Sequence, residues 1–539
     1  MEFSELIRTG RAQAELSRGS EAPPLRGTLC VTGHHLLLSP GPQATPDLWL
    51  LLLRSVDSIE KRVAGDSGTI TLRCKDLRVF QLDIEGVEAT LDIARSIEAY
   101  WEREIRIQRY PWAQLNGGGA WHFHPPERYY KRVARETNAW RLSEANEDFS
   151  LCPSYPRALI VPRAVDDEAL ARSARFRQGG RCPVLSYYHA PSGTVLLRSS
   201  QPLTGPQKRR CAEDEELLQA VLAGARPGAR GFVVDTRSAQ AAKQARLTGG
   251  GTEAKAAYPG WKRLHRPLER GRPLQESFVY LVEACGDSEQ SMDRWLSRLK
   301  GCRWLVHVKE ALSTACLAAQ GMEREGACIL VHGAEGTDST LLVTSLAQLI
   351  LDPMSRTMAG FQELVEREWI QAGHPFQLRC ASSAFSHASP KHEAPTFLLF
   401  LDCVWQLGRQ FPLSLEFGEG LLVALFEHAY ASAFGTFLCN SEKERCLCEV
   451  RTRTHSLWSR LNQPKEQRKL RNPLYVLNPL AIWPSVEPQS LRLWQGLFLR
   501  WSRPPEPSEV AWEKVWQIVT EREQTGDSQP TASSSEPQP

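Results

Sequence analysis

Apolar and β-branched residues in the first hundred positions gather in short runs between turn residues. The runs are GTLCVTGHHLLLS (27–39), LWLLLLRSVDSIEKR (48–62), GTITLRCK (68–75) and RVFQLDI (78–84), and each reads as a strand. The segment 87–104 then places apolar residues at helical spacing. Strands followed by one helix predict a small β-barrel capped by that helix. Residues 105–135 lose this regularity and are punctuated by LNGGGAW and HPPE, which predicts a linker. From 136 to 502 apolar strands such as RGFVVDTR (230–237) and ACILVH (327–332) alternate with helical patterns at 213–224, 303–320 and 339–351. That alternation predicts an α/β domain with helices covering a sheet. Residues 508–523 predict about four turns of amphipathic helix. The polar tail 524–539 has the composition of disorder.

Composition narrows the class of protein without naming a chemistry. The 539 residues are enough for more than one domain, and 42% hydrophobic with 24% charged residues is ordinary for a globular chain. A net charge of +3 gives no general pull toward nucleic acid. The 14 cysteines show no framework spacing, and the opening MEFSELIRTG has no apolar signal core. Both features predict a reducing, cytoplasmic setting with free thiols. No apolar run is long enough to span a bilayer.

The stretch CILVHGAEGTDST (328–340) carries the sharpest chemical question. An apolar strand runs into a loop with two glycines and then into a helix, the plan of an anion cradle built from backbone N–H groups. A nucleotide P-loop started at Gly333 needs glycine and lysine where Asp338 and Ser339 stand, so that reading fails. A cysteine-dependent phosphatase loop, Cys-x5-Arg, needs a thiolate nucleophile and an arginine to hold the phosphoryl oxygens. In that frame Gly333 stands in place of the cysteine and Ser339 in place of the arginine. The plain alternative is a turn with Asp338 or Ser339 capping the next helix.

The surrounding blocks fix the frame. NAWRLSEANEDFSLCPSYPRALIVP (138–162), RCPVLSYYH (181–189), RSSQPL (198–203) and DTRSAQAAKQARLTGGGTEAKAAYP (235–259) precede the loop. LILDPMSRTMAGFQELVEREWIQAGHPF (349–376), QFPLSLEFGEGLL (410–422), FGTFL (434–438) and LWQGLFLRW (493–501) follow it. Together these resemble the myotubularin family of phosphoinositide 3-phosphatases over nearly the whole chain. The family's active loop reads V-H-C-S-D-G-W-D-R-T, and here it reads V-H-G-A-E-G-T-D-S-T (331–340). Val331, His332, Gly336, Asp338 and Thr340 match, whereas Gly333, Ala334, Glu335, Thr337 and Ser339 depart. The chain is most similar to the catalytically inactive branch.

The resemblance implies an N-terminal PH-GRAM domain (1–105), a linker (106–135) and an inactive cysteine-phosphatase-like α/β domain (136–502). A short helix (503–523) and the tail (524–539) complete the division. It implies no catalytic residue, no cofactor and no metal, only a degenerate loop comprising His332, Gly333, Ala334, Glu335, Gly336, Thr337, Asp338, Ser339 and Thr340. The implied role is a regulatory subunit that forms a hetero-oligomer with active myotubularin phosphatases on endosomal, endoplasmic-reticulum or autophagic membranes. A homo-oligomer and peripheral binding to phosphoinositide membranes stand beside it. A lipid-binding scaffold without a phosphatase partner is the alternative, and a hydrolase using Ser339 or Thr337 is a third class. Glu335 and Asp338 are expected to face the site as two carboxylates that repel phosphate.

Other clusters read as structure. Cys439, Cys446 and Cys448, with His428 and His455, have no common zinc spacing. Gly249, Gly250 and Gly251 follow no strand directly and read as a turn; the resemblance places them near the family's substrate pocket. The basic runs ERYYKRVAR (127–135) and QKRR (207–210) read as solvated faces ahead of anionic-lipid contacts. In the C-terminal segment Val510, Trp512, Val515, Trp516 and Val519 make about two heptads, short of the three or four that a pairing coil needs.

Overall fold

A computed structural model of the protein describes residues 12–17, 24–33, 35–40, 49–106, 121, 124–287, 290–385 and 392–501. The predicted C-terminal helix, the tail and much of the predicted linker lie outside these residues.

The N-terminal part is a seven-stranded antiparallel sheet in the order β4-β3-β2-β1-β7-β6-β5. Its strands are β1 (Ala12–Ser17), β2 (Leu25–Val31), β3 (His35–Pro40), β4 (Trp49–Leu52), β5 (Val56–Ala64), β6 (Ser67–Cys74) and β7 (Val79–Glu85). A 3-10 turn at Leu53–Ser55 joins the two edge strands. Alternating residues line an apolar face; in β6 the buried positions include Ile70, Leu72 and Cys74. The helix Val87–Arg106 covers that face with Ile93, Ala94 and Ile97. Gly68 lets it approach, because a Cβ there would lie 2.5 Å from the Thr90 side chain.

Two predicted strands are each two elements. The run 27–39 is a hairpin, with the Thr32 N–H donating to the His35 carbonyl at 2.8 Å. The run 48–62 bends at Leu53–Ser55. The polar interruptions, TGHH at 32–35 and RS at 54–55, mark both breaks but are short beside the apolar runs that flank them. β1, which sits between β2 and β7, was not predicted.

The second part is built on a five-stranded sheet in the order β10-β11-β14-β12-β13. β10 (Val184–His189) and β11 (Thr194–Ser199) form an antiparallel hairpin. β11, β14 (Cys328–His332), β12 (Gly231–Asp235) and β13 (Trp261–His265) run parallel. β8 (Trp140–Ser143) and β9 (Leu159–Pro162) make a separate two-stranded ladder. All five residues of β14 are buried, as a central parallel strand covered on both faces requires. The helices Trp304–Glu323 and Ser339–Leu351 pack beside it, and every residue of the latter is buried.

The predicted linker holds one further element. Residues Pro126–Glu136 form a helix with Pro at N1, and its Tyr129 and Val133 are buried in the core of the second part. The basic run 127–135 is therefore partly internal: Arg132 pairs with Glu363 at 2.5 Å and stacks on Tyr129. In the other run, Arg210 pairs with Glu215. Asp57 links the two parts by accepting from the Ser383 N–H (3.0 Å), the Ser383 hydroxyl (2.6 Å) and the Phe385 N–H (3.1 Å). No helix among the described residues is long and apolar enough to cross a membrane.

Candidate functional site: a phosphatase-type loop without its reactive groups

The strand register fixes where the loop opens. His332 at the carboxyl end of β14 lies opposite Ser199 at the end of β11 and Asp235 at the end of β12. The loop 333–338 thus leaves the sheet at its C-terminal edge, where open α/β sheets place their ligands. It enters the helix Ser339–Leu351 directly. Among the described residues, no backbone N–H of 333–338 donates to a protein acceptor. These N–H groups precede the helix N-terminus, the position at which the sequence plan places an anion.

Side chains behind the loop hold it densely. The His332 Nε2 lies 3.1 Å from the Glu253 carboxylate, and its Nδ1 is 3.2 Å from the Gly333 carbonyl. Arg177 donates to Glu253 at 2.6 Å and to both Asp214 oxygens at 2.9 and 2.6 Å. Ser173 and Tyr258 hydroxyls complete Asp214, each at 2.7 Å. The side chains of Arg177, Asp214, Glu253 and His332 are all essentially buried. Burial alone would raise the Glu253 carboxyl, but His332 and Arg177 outweigh it and hold the group far below the usual carboxylate range. A second pair, Asp235–Arg237, closes bidentately at 2.9 and 2.8 Å, and Arg237 also reaches Gln201 and the Gly251 carbonyl.

The loop's other anchors are equally specific. Arg181 donates to the Gly336 carbonyl at 2.8 Å. Gly336 has φ +75°, and a Cβ there would lie 2.4 Å from the Ser199 carbonyl oxygen, so only glycine fits. The Ala334 carbonyl accepts from the Gln201 N–H at 3.2 Å. His374 Nδ1 reaches the Thr337 carbonyl at 2.8 Å, and burial pushes this imidazole down to about 4, so at neutral pH Nδ1–H donates.

Asp338 occupies the N-cap position, yet its side chain makes no cap hydrogen bond. It accepts instead from Arg379 Nε at 2.9 Å and Nη2 at 2.8 Å. Burial opposes its ionisation, but the Arg379 hydrogen bonds and charge outweigh it and keep the carboxyl below its ordinary value. This corrects the expectation of two free carboxylates facing the site. Glu335 alone is well exposed, at 59% of its side chain, and Arg379 lies 3.8 Å from it. The cation comes from a residue 41 positions away, which the loop sequence does not display.

At Gly333 and Ser339, where the family has cysteine and arginine, the space is small and neutral. Ser339 is buried, and its hydroxyl lies 2.7 Å from that of Thr236, which also donates to the His332 carbonyl at 3.1 Å. A Cβ on Gly333 would lie 3.1 Å from the Thr236 hydroxyl and 3.3 Å from that of Ser339. The Thr337 hydroxyl is 3.5 Å from Asp338, at the outer limit of a hydrogen bond. Among the described residues neither the Ser339 nor the Thr337 hydroxyl bonds a histidine or lysine; their partners are Thr236 and Asp338. The anchoring residues Arg177, Asp214, Glu253, Arg181, Arg379 and His374 escaped sequence reasoning, because ion pairs between distant positions leave no periodic signal. Asp235, Arg237, Glu253, Arg181 and His374 lie within the quoted blocks, but nothing local in the sequence marks them as anchors.

The remaining candidates fall apart or fold into the framework. Gly250 and Gly251 lie against Gln201 and Thr204, where added Cβ atoms would come within 2.6 and 1.7 Å. Gly250 and Gly251 are thus close-packed, whereas Gly249 (φ +102°) faces open space. Cys439 and Cys448 pack together with Leu438 and Val450, and burial pushes the Cys439 thiol up to about 12. His428 bonds Ser432, and burial lowers it to about 4. Among the described residues no group of three His, Cys, Asp or Glu side chains could hold a metal.

Comparison with known proteins agrees with the architecture. Residues 108–446 match the model of the myotubularin-like phosphatase domain. The chain is 86% identical to myotubularin-related protein 9-like of Bos taurus, over the full length of both. It is 54% identical to myotubularin-related protein 9 of Homo sapiens, over 96% of this chain and 94% of the relative. It is 33% identical to phosphatidylinositol-3,5-bisphosphate 3-phosphatase MTMR2 of Mus musculus, over 92% of this chain and 78% of the relative. On the domain match, these identities and the sheet-loop-helix arrangement together, the chain belongs to the myotubularin family.

Proposed function

We propose that this chain is a pseudophosphatase: a myotubularin that does not turn over phosphoinositides and instead binds active family phosphatases, stabilising them and raising their activity. The observation that carries the reading is the pair of replacements at the loop, Gly333 for the nucleophile and Ser339 for the phosphate-binding arginine. Losing a nucleophile from a set of cooperating groups lowers turnover roughly a million-fold. The nearby Arg379 does not substitute for the missing arginine, since its fork is already matched bidentately to Asp338. The N-terminal sheet with its covering helix is read as the PH-GRAM domain. The substrate class of the assembly follows the printed activity of the 33% identical relative, 3-phosphate removal from phosphatidylinositol 3,5-bisphosphate.

The test has two arms. The purified chain is assayed for phosphate release from phosphatidylinositol 3-phosphate and its 3,5-bisphosphate, and is then co-expressed with a panel of active myotubularins. The reading predicts no release alone, co-purification with a panel member and an increase in that member's turnover. Release by the pure chain, or absence of any interaction and any rate change, would falsify it.

A further inference from the structure

A group of exposed apolar side chains lies away from the loop. Leu474, Val476, Leu477 and Leu480 are 40, 62, 59 and 71% exposed, and Leu413 and Met354 add 49 and 53%. These residues share one face. The Val476 N–H donates to the Leu413 carbonyl at 2.9 Å, and Arg356, on the turn that carries Met354, donates to the carbonyls of Asn478 (3.0 Å) and Leu480 (2.8 Å). Asn472 and Asn478 side chains tie the same segment to Pro412, Leu415 and Ser414. The backbone is thus pinned by polar bonds while its large aliphatic side chains stand outward. Folding gains nothing from that display, and single-residue exposure does not explain six such side chains on one face.

Directly before it in the chain, the helix Pro464–Leu470 exposes Lys465, Arg468 and Lys469, and Arg471 follows. Glu466 pairs with Lys469 at 3.3 Å and Glu416 lies 3.5 Å from Arg471, while Lys465 and Arg468 have no ion pair. Aliphatic side chains on a proline-bounded loop, flanked by unneutralised Lys and Arg, fit the boundary of an anionic bilayer: the leucines enter the acyl region and the cations meet the headgroups. A protein interface favours aromatic anchors and depletes lysine instead. We infer that the basic helix Pro464–Leu470 and the apolar loop 474–480 form a docking surface for anionic lipid bilayers, distinct from the phosphatase-type loop. The face lies at the C-terminal end of the helix Ser339–Leu351, where the Ile482 N–H meets the Ile350 carbonyl. The degenerate loop is at that helix's N-terminal end, about 20 Å away. A bilayer seated on this face leaves the loop turned away from the lipid, which a non-hydrolysing chain tolerates.

The experiment is sedimentation of the full chain with phosphatidylcholine vesicles and with phosphatidylcholine–phosphatidylserine vesicles, without phosphoinositide. Binding is expected only to the anionic vesicles, weakening with added salt. Leu477→Asp with Leu480→Asp, and separately Lys465→Glu with Arg468→Glu, should each lower it by roughly ten-fold or more, since each basic residue contributes several-fold. All four positions are exposed, and unchanged thermal melting verifies that the variants fold. No binding by the wild type, or binding by either double variant equal to that of the wild type, overturns the proposal. A change of oligomeric state in the leucine variant with vesicle binding intact overturns it too, and makes the face a protein interface. The inference is independent of the adaptor reading and survives or fails without it.

Discussion

The two sides of the loop have opposite characters. Its back is built from fully committed charged groups: His332 on Glu253, Glu253 on Arg177, Arg177 on Asp214, and Asp338 on Arg379. Its front, where a reacting phosphate would sit, offers Gly333, a Ser339 hydroxyl bonded to Thr236, and the exposed carboxylate of Glu335. The back serves folding and the front would serve chemistry. The difference teaches that, on the pseudophosphatase reading, the groups at the front are dispensable to folding whereas the supports at the back are not. A buried ion pair that loses one partner leaves a charge without water or counter-charge.

That contrast can be broken first at the back. Arg177→Ala strands Asp214 and Glu253 together and should cost about 3–5 kcal/mol, read as a fall in denaturant midpoint; a loss near zero would mean the relay is not formed. Leu346→Ala, in the fully buried helix after the loop, should cost about 2–5 kcal/mol. Asp338→Asn keeps the shape but weakens the fork with Arg379, and about 1–3 kcal/mol should follow. Ser339→Ala at the front removes one neutral hydroxyl bond and should cost only about 1 kcal/mol. If the front variant proved as damaging as the back ones, the division would fail.

A pH series sharpens the same contrast with a group outside the loop. Glu366 is buried, accepts from the Trp458 indole at 2.8 Å, and burial raises it to about 7. Its folded value lies above its unfolded one, so between about pH 4.5 and 7 the folded state holds the extra proton. Its contribution is complete below that window and is lost as pH rises through it. Glu366→Gln should therefore lose less stability than wild type across the window, by an amount of order 1–3 kcal/mol. Asp338 behaves oppositely: its lowered value makes its contribution present at neutral pH and lost only in acid, as pH falls through the folded value. Parallel curves for wild type and Glu366→Gln would remove Glu366 from the account.

What the sequence disclosed follows from what is local. The helix at 339–351 was legible to the residue because Leu342, Leu346, Leu349 and Ile350 recur at helical spacing directly after a polar loop. β12 and β14 were legible as short apolar runs between helical patterns, and the loop's departures were legible once the flanking blocks fixed its frame. β1 was missed because AQAELS, though it alternates, holds no β-branched residue and places only small alanines at two of its three inward positions. The hairpin inside 27–39 was missed although the polar TGHH at 32–35 marks its turn, because that interruption is short beside the apolar runs on either side. The helix Pro126–Glu136 was assigned to a linker because its charges hide the two residues it buries, Tyr129 and Val133. The ion-pair framework was illegible for a different reason: Arg177, Asp214, Glu253 and Arg379 meet only after folding, and no spacing rule connects them.

The central claim is that the chain acts through a partner and not through its own loop. The most direct measurement is phosphate release from phosphatidylinositol 3,5-bisphosphate by an active myotubularin at fixed concentration, titrated with this chain, with the chain alone as control. The account predicts no release by the chain alone and a saturable rise in the partner's rate. Release by the chain alone, or a flat titration across the panel of active family members, would contradict it.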